Sequence, residues 1–496
     1  MRWCVNLNEF SDIKVRKEVT KNKEENNILQ QIFSVPLDNE KYLIYAPLKG
    51  IAFIGNTSLV NAIFEQCSNL NTSIPKSFRT PSGTPRFEKM RTDLDFLQKL
   101  DFFQLEALPE DEYQQKGIQY DAVILFLTNQ CNLRCSYCYA SSGEHKSQQM
   151  PWEIAKAGID FVMGEVIKNQ SPTMTLGFHG GGEPTLNWEV LTKATEYAHS
   201  LSKKNNIQLH LTGSFNGYWP EKVLHYIIQN FTELSLSFDG LPSIQNIQRP
   251  TINKNDSFPR VAETLHALDQ AQFSYGIRMT VTNNSVRYLA ENISYICKNF
   301  KPKKIQIEPV FDVGRAKENK SAIIDLNIFI DQFIMGFKEA EKHQIDMFYS
   351  GARLEVLTQR FCLAACRALV VTPDGDITTC FETYSQEHPL SRNFIVGNYK
   401  GDGQFFIDKE KLLSHFNHTV EQIPHCDACF CKWHCAGDCA IKTLSENTID
   451  RYHPTERCYA NQELTKFLIL DKMKKSGELI MVNKKISLPL SKEKRI

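Results

Sequence analysis

Tyr120 to Thr128 reads YDAVILFLT, and it leads into Cys131-Asn132-Leu133-Arg134-Cys135-Ser136-Tyr137-Cys138. The first stretch is a continuous apolar run of strand length, the pattern of a strand buried on both faces. The second sets three cysteines at C-x3-C-x2-C on the loop that follows. Three thiolates on one short loop can hold three corners of a cubic iron–sulfur cluster. The fourth iron is then left without a protein ligand and open to chemistry. A structural zinc site would want a fourth Cys or His close by at finger-like spacing. The nearest, His145, stands in a polar segment without that spacing.

Outward from this stretch, strands and helices alternate from about 118 to 312. The pattern predicts strands at 120–128, 173–178, 207–213, 233–238, 274–282 and 304–310. Helices fall between them at 152–168, 187–203, 220–229, 258–271 and 286–299. Six such units make an α/β fold, an open partial (β/α)6 barrel of the TIM type, with its site at the carboxyl ends of the strands. The cysteine loop sits at one such end. Gly180-Gly181-Gly182-Glu183-Pro184-Thr185 sits at another, and glycines there let a ligand come close to the backbone. Leu236-Ser237-Phe238-Asp239-Gly240 sits at a third, with Arg249-Pro250 following; a hydroxyl and a guanidinium suit a carboxylate and ribose hydroxyls. His179 reads as a structural neighbour. Apolar residues at helical spacing over 322–344 predict a helix that closes the barrel side.

The chain of 496 residues is long enough for two or three domains. Its 57 basic and 57 acidic residues cancel, so no basic field points to nucleic acid or an anionic membrane. Its apolar runs fall short of the roughly 18–20 residues of a membrane helix. The opening MRWCVNLNEFSDIKVRKE has no apolar signal core, so a cytoplasmic protein is expected. Residues 1–115 read as an α+β region. A charged stretch at 17–27 precedes short strands, then a helix capped by Asn56-Thr57-Ser58, then a Pro/Ser/Gly-rich loop at 73–87. Such a region either adds a peptide to a sheet edge or caps the barrel.

Of the fifteen cysteines, three lie at 131–138 and nine between 362 and 458. Only Cys4, Cys67 and Cys297 stand elsewhere, and these read as ordinary thiols. Clusters of cysteines in a reducing compartment hold metal more often than disulfides. In the C-terminal set, Cys366 is followed by Gly375 and Cys380, then Cys426-x2-Cys429-x5-Cys435-x3-Cys439, then Cys458; Cys362 lies four residues before Cys366. Eight cysteines complete two four-thiolate cubane sites, and metal bound there is also folding energy.

The three-cysteine loop, with Tyr137 before its last cysteine, resembles the radical S-adenosylmethionine (SAM) enzymes. The C-terminal spacing resembles the SPASM extension of that family, and together the resemblance covers roughly residues 115–460. It implies a [4Fe-4S] cluster on Cys131, Cys135 and Cys138 whose open iron binds SAM. It implies SAM contacts from Tyr137, from Gly181, Gly182 and Glu183 to the amino group, from Ser237 and Arg249, and from Val310 to the adenine. Arg260 and Arg278 are substitutes for Arg249. Two auxiliary [4Fe-4S] clusters are implied, one on Cys362, Cys366, Cys380 and Cys439, the other on Cys426, Cys429, Cys435 and Cys458. Cys431 is left over, as a bystander or a substitute ligand. Without Cys362, whose spacing varies in the family, the first auxiliary cluster has an open iron. The layout expected is an N-terminal region 1–115, the barrel 116–330, a linking helix 331–360, a loop-rich SPASM domain 361–460, and a helix with a basic tail 461–496.

The function implied is a maturase that abstracts hydrogen from a ribosomally made peptide or protein to install a carbon–carbon or thioether link or a related change. Its partners are that substrate and a low-potential donor such as flavodoxin or ferredoxin. The alternative within the family is an anaerobic sulfatase-maturing enzyme, which makes formylglycine. There an Asp directly follows the third cysteine of the first auxiliary cluster as base; here Phe381 and Glu382 follow Cys380, which leaves Glu382 as a displaced base. A non-catalytic iron–sulfur electron carrier is the reading from another class, and an intact SAM site argues against it.

Overall fold

The computed structural model describes residues 28–69, 93–109, 117–321, 324–445, 448–452, 454–476 and 480–481. The charged stretch at 17–27, the loop at 73–87 and the basic tail at 491–496 lie outside the described residues, as does Cys4. The chain divides into two compact units, Met1–Ala107 and Leu108–Ile496.

In the first unit β1 (Phe33–Pro36), β2 (Lys41–Ala46) and β3 (Ile51–Asn56) form an antiparallel meander. Helix α1 (Thr57–Asn69) follows at once, and the Asn56 side chain accepts from the Leu59 N–H at 2.9 Å as its cap. Ile44, Ala46 and Ile51 pack with Val60, Ile63, Cys67 and Phe102 into a small core of its own, so Cys67 is a buried apolar thiol.

The second unit holds the barrel. β4 (Ala122–Phe126), β5 (Thr173–His179), β6 (Gln208–Phe215), β7 (Glu233–Ser237), β8 (Tyr275–Val281) and β9 (Lys304–Pro309) lie side by side in chain order, all parallel. α2 (Trp152–Lys168), α3 (Trp188–Asn205), α4 (Glu221–Asn230), α5 (Pro242–Gln248), α6 (Phe258–Gln270) and α7 (Leu289–Asn299) connect them. These elements match the expected ones to within a few residues at each end; α5, a single short helix after the Ser237 turn, was not anticipated.

Each strand puts alternate residues on opposite faces. Val123, Leu125, Leu176, Phe178, Leu211, Phe215, Leu234, Leu236, Ile277, Met279, Ile305 and Ile307 are buried in the main core with Ile159, Val162, Leu191, Leu265 and Ile293 of the helices. The other face carries Thr175, His179, Thr212, Ser214, Ser235, Ser237, Arg278, Thr280, Gln306 and Glu308. An apolar belt thus faces the helices while polar side chains gather on the concave face. Helix α8 (Leu326–Lys342) is capped by Asp325, whose side chain accepts from Asn327 and Ile328 N–H, and it packs on α7. It lies within the 322–344 pattern.

The sheet extends beyond six strands. β10 (Asp346–Phe348) adds parallel to β9. On the other edge β11 (Ala368–Val371) adds parallel to β4, and β12 (Asp376–Thr378), β13 (Ile395–Gly401) and β14 (Gln404–Ile407) follow antiparallel. Arg367 Nε donates to Asp121 Oδ1 at 3.0 Å and pins the starts of β11 and β4 together. Gly375, at φ +86°, makes the tight turn between β11 and β12. The cysteine-rich extension therefore carries sheet as well as loops, and that sheet is continuous with the barrel. No helix among the described residues is long and apolar enough to cross a membrane.

Candidate active site

The cysteine loop leaves β4 and is held at many points. Thr128 Oγ1 donates to Gln148 O at 2.7 Å, and Asn129 Nδ2 to Lys146 O at 2.7 Å, which closes the loop on itself. Arg134 N donates to Pro250 O at 2.7 Å and Ser136 N to Gln248 O at 2.8 Å, so the loop is laced to the segment after β7. Arg315, almost fully buried, donates to Cys135 O at 2.7 Å and Ser142 O at 2.6 Å. The three sulfurs each meet polar partners. Leu133 N and Asn216 Nδ2 approach Cys131 Sγ at 3.4 and 3.7 Å, Arg249 Nη1 approaches Cys135 Sγ at 3.8 Å, and Ser142 Oγ lies 3.4 Å from Cys138 Sγ. Burial pushes the Cys135 thiol up to about 11, with the Arg249 charge opposing. Metal binding there must release protons.

The Gly-Gly-Gly-Glu turn abuts this loop. A Cβ on Gly182 would stand 2.1 Å from Gln130 O, so only glycine lets the turn pack against the cysteine loop. Glu183 N donates to Gln130 O at 2.8 Å. The Glu183 carboxylate is buried and accepts from Thr185 Oγ1 at 2.8 Å, Asn216 N at 2.9 Å and Trp219 Nε1 at 3.0 Å. Burial raises its carboxyl pKa and these donors work against the rise. The Ser142 hydroxyl donates to Gly181 O.

Tyr137 and Arg249 meet on a residue the sequence reading treated only as part of a turn. Asp239, 0% exposed, accepts from Tyr137 OH at 2.6 Å, Gln248 Nε2 at 2.8 Å, Arg249 Nε at 2.9 Å and Thr280 N at 3.2 Å. The Arg249 guanidinium also lies 5.1 Å over the Tyr137 ring. The arginine thus has its carboxylate within the protein and turns a remaining nitrogen toward Cys135. Of its two stand-ins, Arg260 pairs at the surface of α6 with Glu263 at 3.1 Å. The Arg278 side chain, on the concave face, makes no hydrogen bond or ion pair among the described residues. It lies in register between Ser237 and Gln306, so Ser237 and Arg278 stand side by side. Val310 stands just past β9, half-buried, its N–H donating to Val281 O at 2.8 Å.

His179 ends β5 between the rings of Phe126 and Phe381, at 5.8 and 5.3 Å. Its Nδ1 is buried without a partner. Burial, and secondarily the Arg278 charge, depress its pKa to about 3. The imidazole is neutral in the folded protein, while in the unfolded chain it takes a proton near pH 6.5. Its contribution to stability is complete above that pH and is lost as pH falls toward 3. His179→Phe is expected to flatten the acid limb of a urea-midpoint profile between about pH 6.5 and 3; an unchanged limb would show that His179 does not titrate in this way.

The extension reaches this same region. Tyr139 OH donates to Gly180 O at 2.9 Å and Phe381 O at 3.5 Å, linking the cysteine loop, the glycine turn and the residue after Cys380. Glu382 lies 3.8 Å from the Lys442 ammonium. Cys362, Cys380 and Cys439 act on one another's charge, whereas Cys366 is buried beside Tyr120. Cys362 keeps solvent exposure, and the protein packed around it raises its thiol pKa. Ala364 N and Glu382 N each stand 3.4 Å from the sulfur two residues before them, the arrangement also seen at Cys131.

Further on, Cys426, Cys429, Cys431, Cys435 and Cys458 gather together. Helix α9 (Arg457–Ser476) carries Cys458, Asn461 and Gln462 on one face by helical spacing. Asn461 Nδ2 lies 3.3 Å from Cys435 Sγ and Gln462 Nε2 lies 3.7 Å from Cys429 Sγ. Arg457 pairs with Asp438 at 2.8 Å and reaches Glu308 of β9 at 3.7 Å. Burial alone would raise the Glu308 carboxyl; the Arg457 and Lys442 charges outweigh it and hold it below its ordinary range. Among the described residues no three His, Cys, Asp or Glu side chains close on one point as a mononuclear metal site requires. A cubane instead spreads its thiolates over separate irons, and N–H donors around sulfur suit it. The donor-ringed cysteines fit that group.

Comparison with known proteins bears on the barrel and its cysteine loop. Residues 125–296 match the Radical SAM superfamily model. The uncharacterized protein MJ0907 of Methanocaldococcus jannaschii is 31% identical over 206 residues, 42% of this chain and 67% of that protein. The radical SAM cyclopropyl synthase TigE of Paramaledivibacter caminithermalis is 22% identical over 351 residues, 66% of this chain and 69% of that one. A cysteine-type anaerobic sulfatase-maturating enzyme of Clostridium perfringens is 25% identical over 176 residues, 35% of this chain and 46% of that enzyme. The solved structure of native anSMEcpe with bound AdoMet shares the fold at a TM-score of 0.57 and 18% identity, covering 72% of this chain and 99% of that one. The three-cysteine loop at the end of β4, the parallel barrel that carries it and these likenesses together establish that the chain belongs to the radical SAM superfamily.

Proposed function

We propose that this enzyme modifies a peptide or protein by hydrogen abstraction, and that a cross-link or related oxidative change is the product. The observation that carries this reading is the meeting of two cysteine systems at one strand edge. The SAM loop of β4 and the Cys380 segment share the Tyr139 hydroxyl. A cluster held by Cys131, Cys135 and Cys138 would supply the electron for reductive cleavage of SAM. An oxidative product then needs an electron acceptor close to the substrate, which gives two auxiliary [4Fe-4S] clusters on the C-terminal cysteines a purpose.

The chain's own side chains prepare the rest. Asp239 fixes Arg249 and Tyr137 against the loop, and Gly181, Gly182 and Glu183 line its flank. Arg278 and Ser237 offer a cation and a hydroxyl on the concave face. Glu382, beside Lys442, is the carboxylate best placed to take a proton near the extension. In the N-terminal unit β1 pairs with β2 alone among the described residues, so its outer edge can take up a peptide strand. A flavodoxin or ferredoxin serves as donor, and the enzyme works in the cytoplasm.

The test is the mass of a small peptide encoded beside this gene, co-expressed with and without the enzyme. Loss of a hydrogen pair, with fragments that no longer separate across one segment, is the result expected. Sulfatase maturation is the second reading, favoured by the Clostridium perfringens relative. It requires instead that a sulfatase peptide carrying Cys or Ser gain an aldehyde. A peptide unchanged beside an aldehyde-bearing sulfatase segment would decide for that reading.

A further inference from the structure

Cys431 is the one C-terminal cysteine outside the eight-ligand pattern, and the structure does not leave it aside. Its sulfur lies 3.2 Å from Cys429 Sγ, it is 1% exposed, and Cys426 and Cys435 flank it. The backbone fixes this placement. Lys432 N donates to Cys429 O at 3.0 Å, and His434 N and Cys435 N donate to Cys431 O at 3.0 and 2.8 Å. The neighbouring side chains turn to Glu421, with Lys432 Nζ at 2.6 Å and Trp433 Nε1 at 2.7 Å, and do not separate the two sulfurs.

Each corner iron of a cubane held by four cysteines takes one thiolate. Two sulfurs in contact therefore address the same corner and not two different ones. We propose that Cys429 and Cys431 are alternative ligands to one iron of the second C-terminal cluster, with Cys431 taking the position when Cys429 is absent. The inference rests on the reading that these cysteines hold a cluster. Gln462 Nε2 approaches Cys429 alone of the pair, which makes Cys429 the resident ligand. Exchange breaks one iron–sulfur bond and forms another. In the native chain the incoming Cys431 thiol gives up its proton to the departing Cys429 thiolate, in the Cys429→Ala chain it gives it to solvent, and in neither case does an electron change hands.

The test uses anaerobically reconstituted full-length protein in four forms: wild type, Cys429→Ala, Cys431→Ala, and Cys429→Ala with Cys431→Ala. Iron and sulfide per chain and the low-temperature electron paramagnetic resonance spectrum are read. Cys429→Ala is expected to keep the wild-type iron count with a shifted spectrum, and Cys431→Ala to keep it too. The double variant is expected to lose about four irons per chain, one cubane, or to show the spectrum of an open corner. Identical iron and spectra from Cys429→Ala and the double variant overturn the proposal, because Cys431 then adds nothing once Cys429 is gone. Wild type that binds only the four irons of one cubane overturns the cluster reading first, and this inference with it.

Discussion

Asp239→Asn is expected to cost the metal-free protein roughly 3–5 kcal/mol, the range for removing one partner of a buried ion pair. The carboxylate is wholly buried and is the meeting point of Tyr137, Gln248, Arg249 and the Thr280 N–H. An asparagine keeps the shape, but it leaves the Arg249 guanidinium without a counter-charge and turns an N–H2 toward groups that are themselves donors. The drop is read as a fall in urea midpoint at pH 7. Asp160→Asn on the exposed face of α2, where the pair with Lys156 is screened by solvent, serves as the control and is expected to move little. If the two variants shift the midpoint equally, Asp239 is not the keystone described. Replacing both partners, Asp239→Leu with Arg249→Met, is expected to recover much of the loss, since no charge is then left buried alone. The cysteine loop should still load poorly in that double variant, because Arg249 no longer faces Cys135.

Cys135→Ala is expected to reduce SAM cleavage under reducing conditions to the level of the reductant without protein. It should also remove about four irons per chain and leave any C-terminal iron in place. The loop backbone is held by Arg315, by the segment at 248–252 and by Thr128 and Asn129, so the fold should survive with an unchanged circular dichroism spectrum. A Cys135→Ala protein that still makes 5′-deoxyadenosine would falsify the assignment of this loop as the SAM-cleaving site.

The barrel was legible because its signals are local. Apolar strands of five to eight residues alternate with amphipathic helices, and period and length alone separate them. The cysteines were legible because spacing survives in one dimension. Asp239 was not, since its role depends on Tyr137, 102 residues earlier in the chain, and on Arg249, ten residues on. A one-dimensional reading sees Asp-Gly and infers a turn. Arg249 was read as a ligand contact, and its pairing with Asp239 stayed invisible for the same reason. The turn Thr372-Pro373-Asp374-Gly375 between apolar stretches carries a hairpin signal for β11 and β12, yet Gly375 was used only as a spacing mark for Cys380. That β11 would join β4 was beyond sequence, because parallel pairing across 246 residues leaves no local trace. Cys431 shows the converse: outside the pattern, it was left as a bystander or a substitute ligand, and only packing reveals that it touches Cys429.

The joining of β11 to β4 bears on how such enzymes can be recombined. Ala368 to Val371 pair residue by residue with Ala122 to Leu125, and from those shared rungs β4 runs on to Cys131 while β11 runs on through β12 to Cys380. The spacing between the two cysteine systems is thereby set as teeth on a comb set the spacing of threads. A hybrid that grafts another relative's C-terminal segment onto this barrel would take the distance between its two cysteine systems from the strand register. A slip of one rung would turn Val370 and Leu369 to the wrong faces before it altered a single ligand. The extension is continuous with the barrel's sheet, so an exchange that keeps the fold has to keep this pairing.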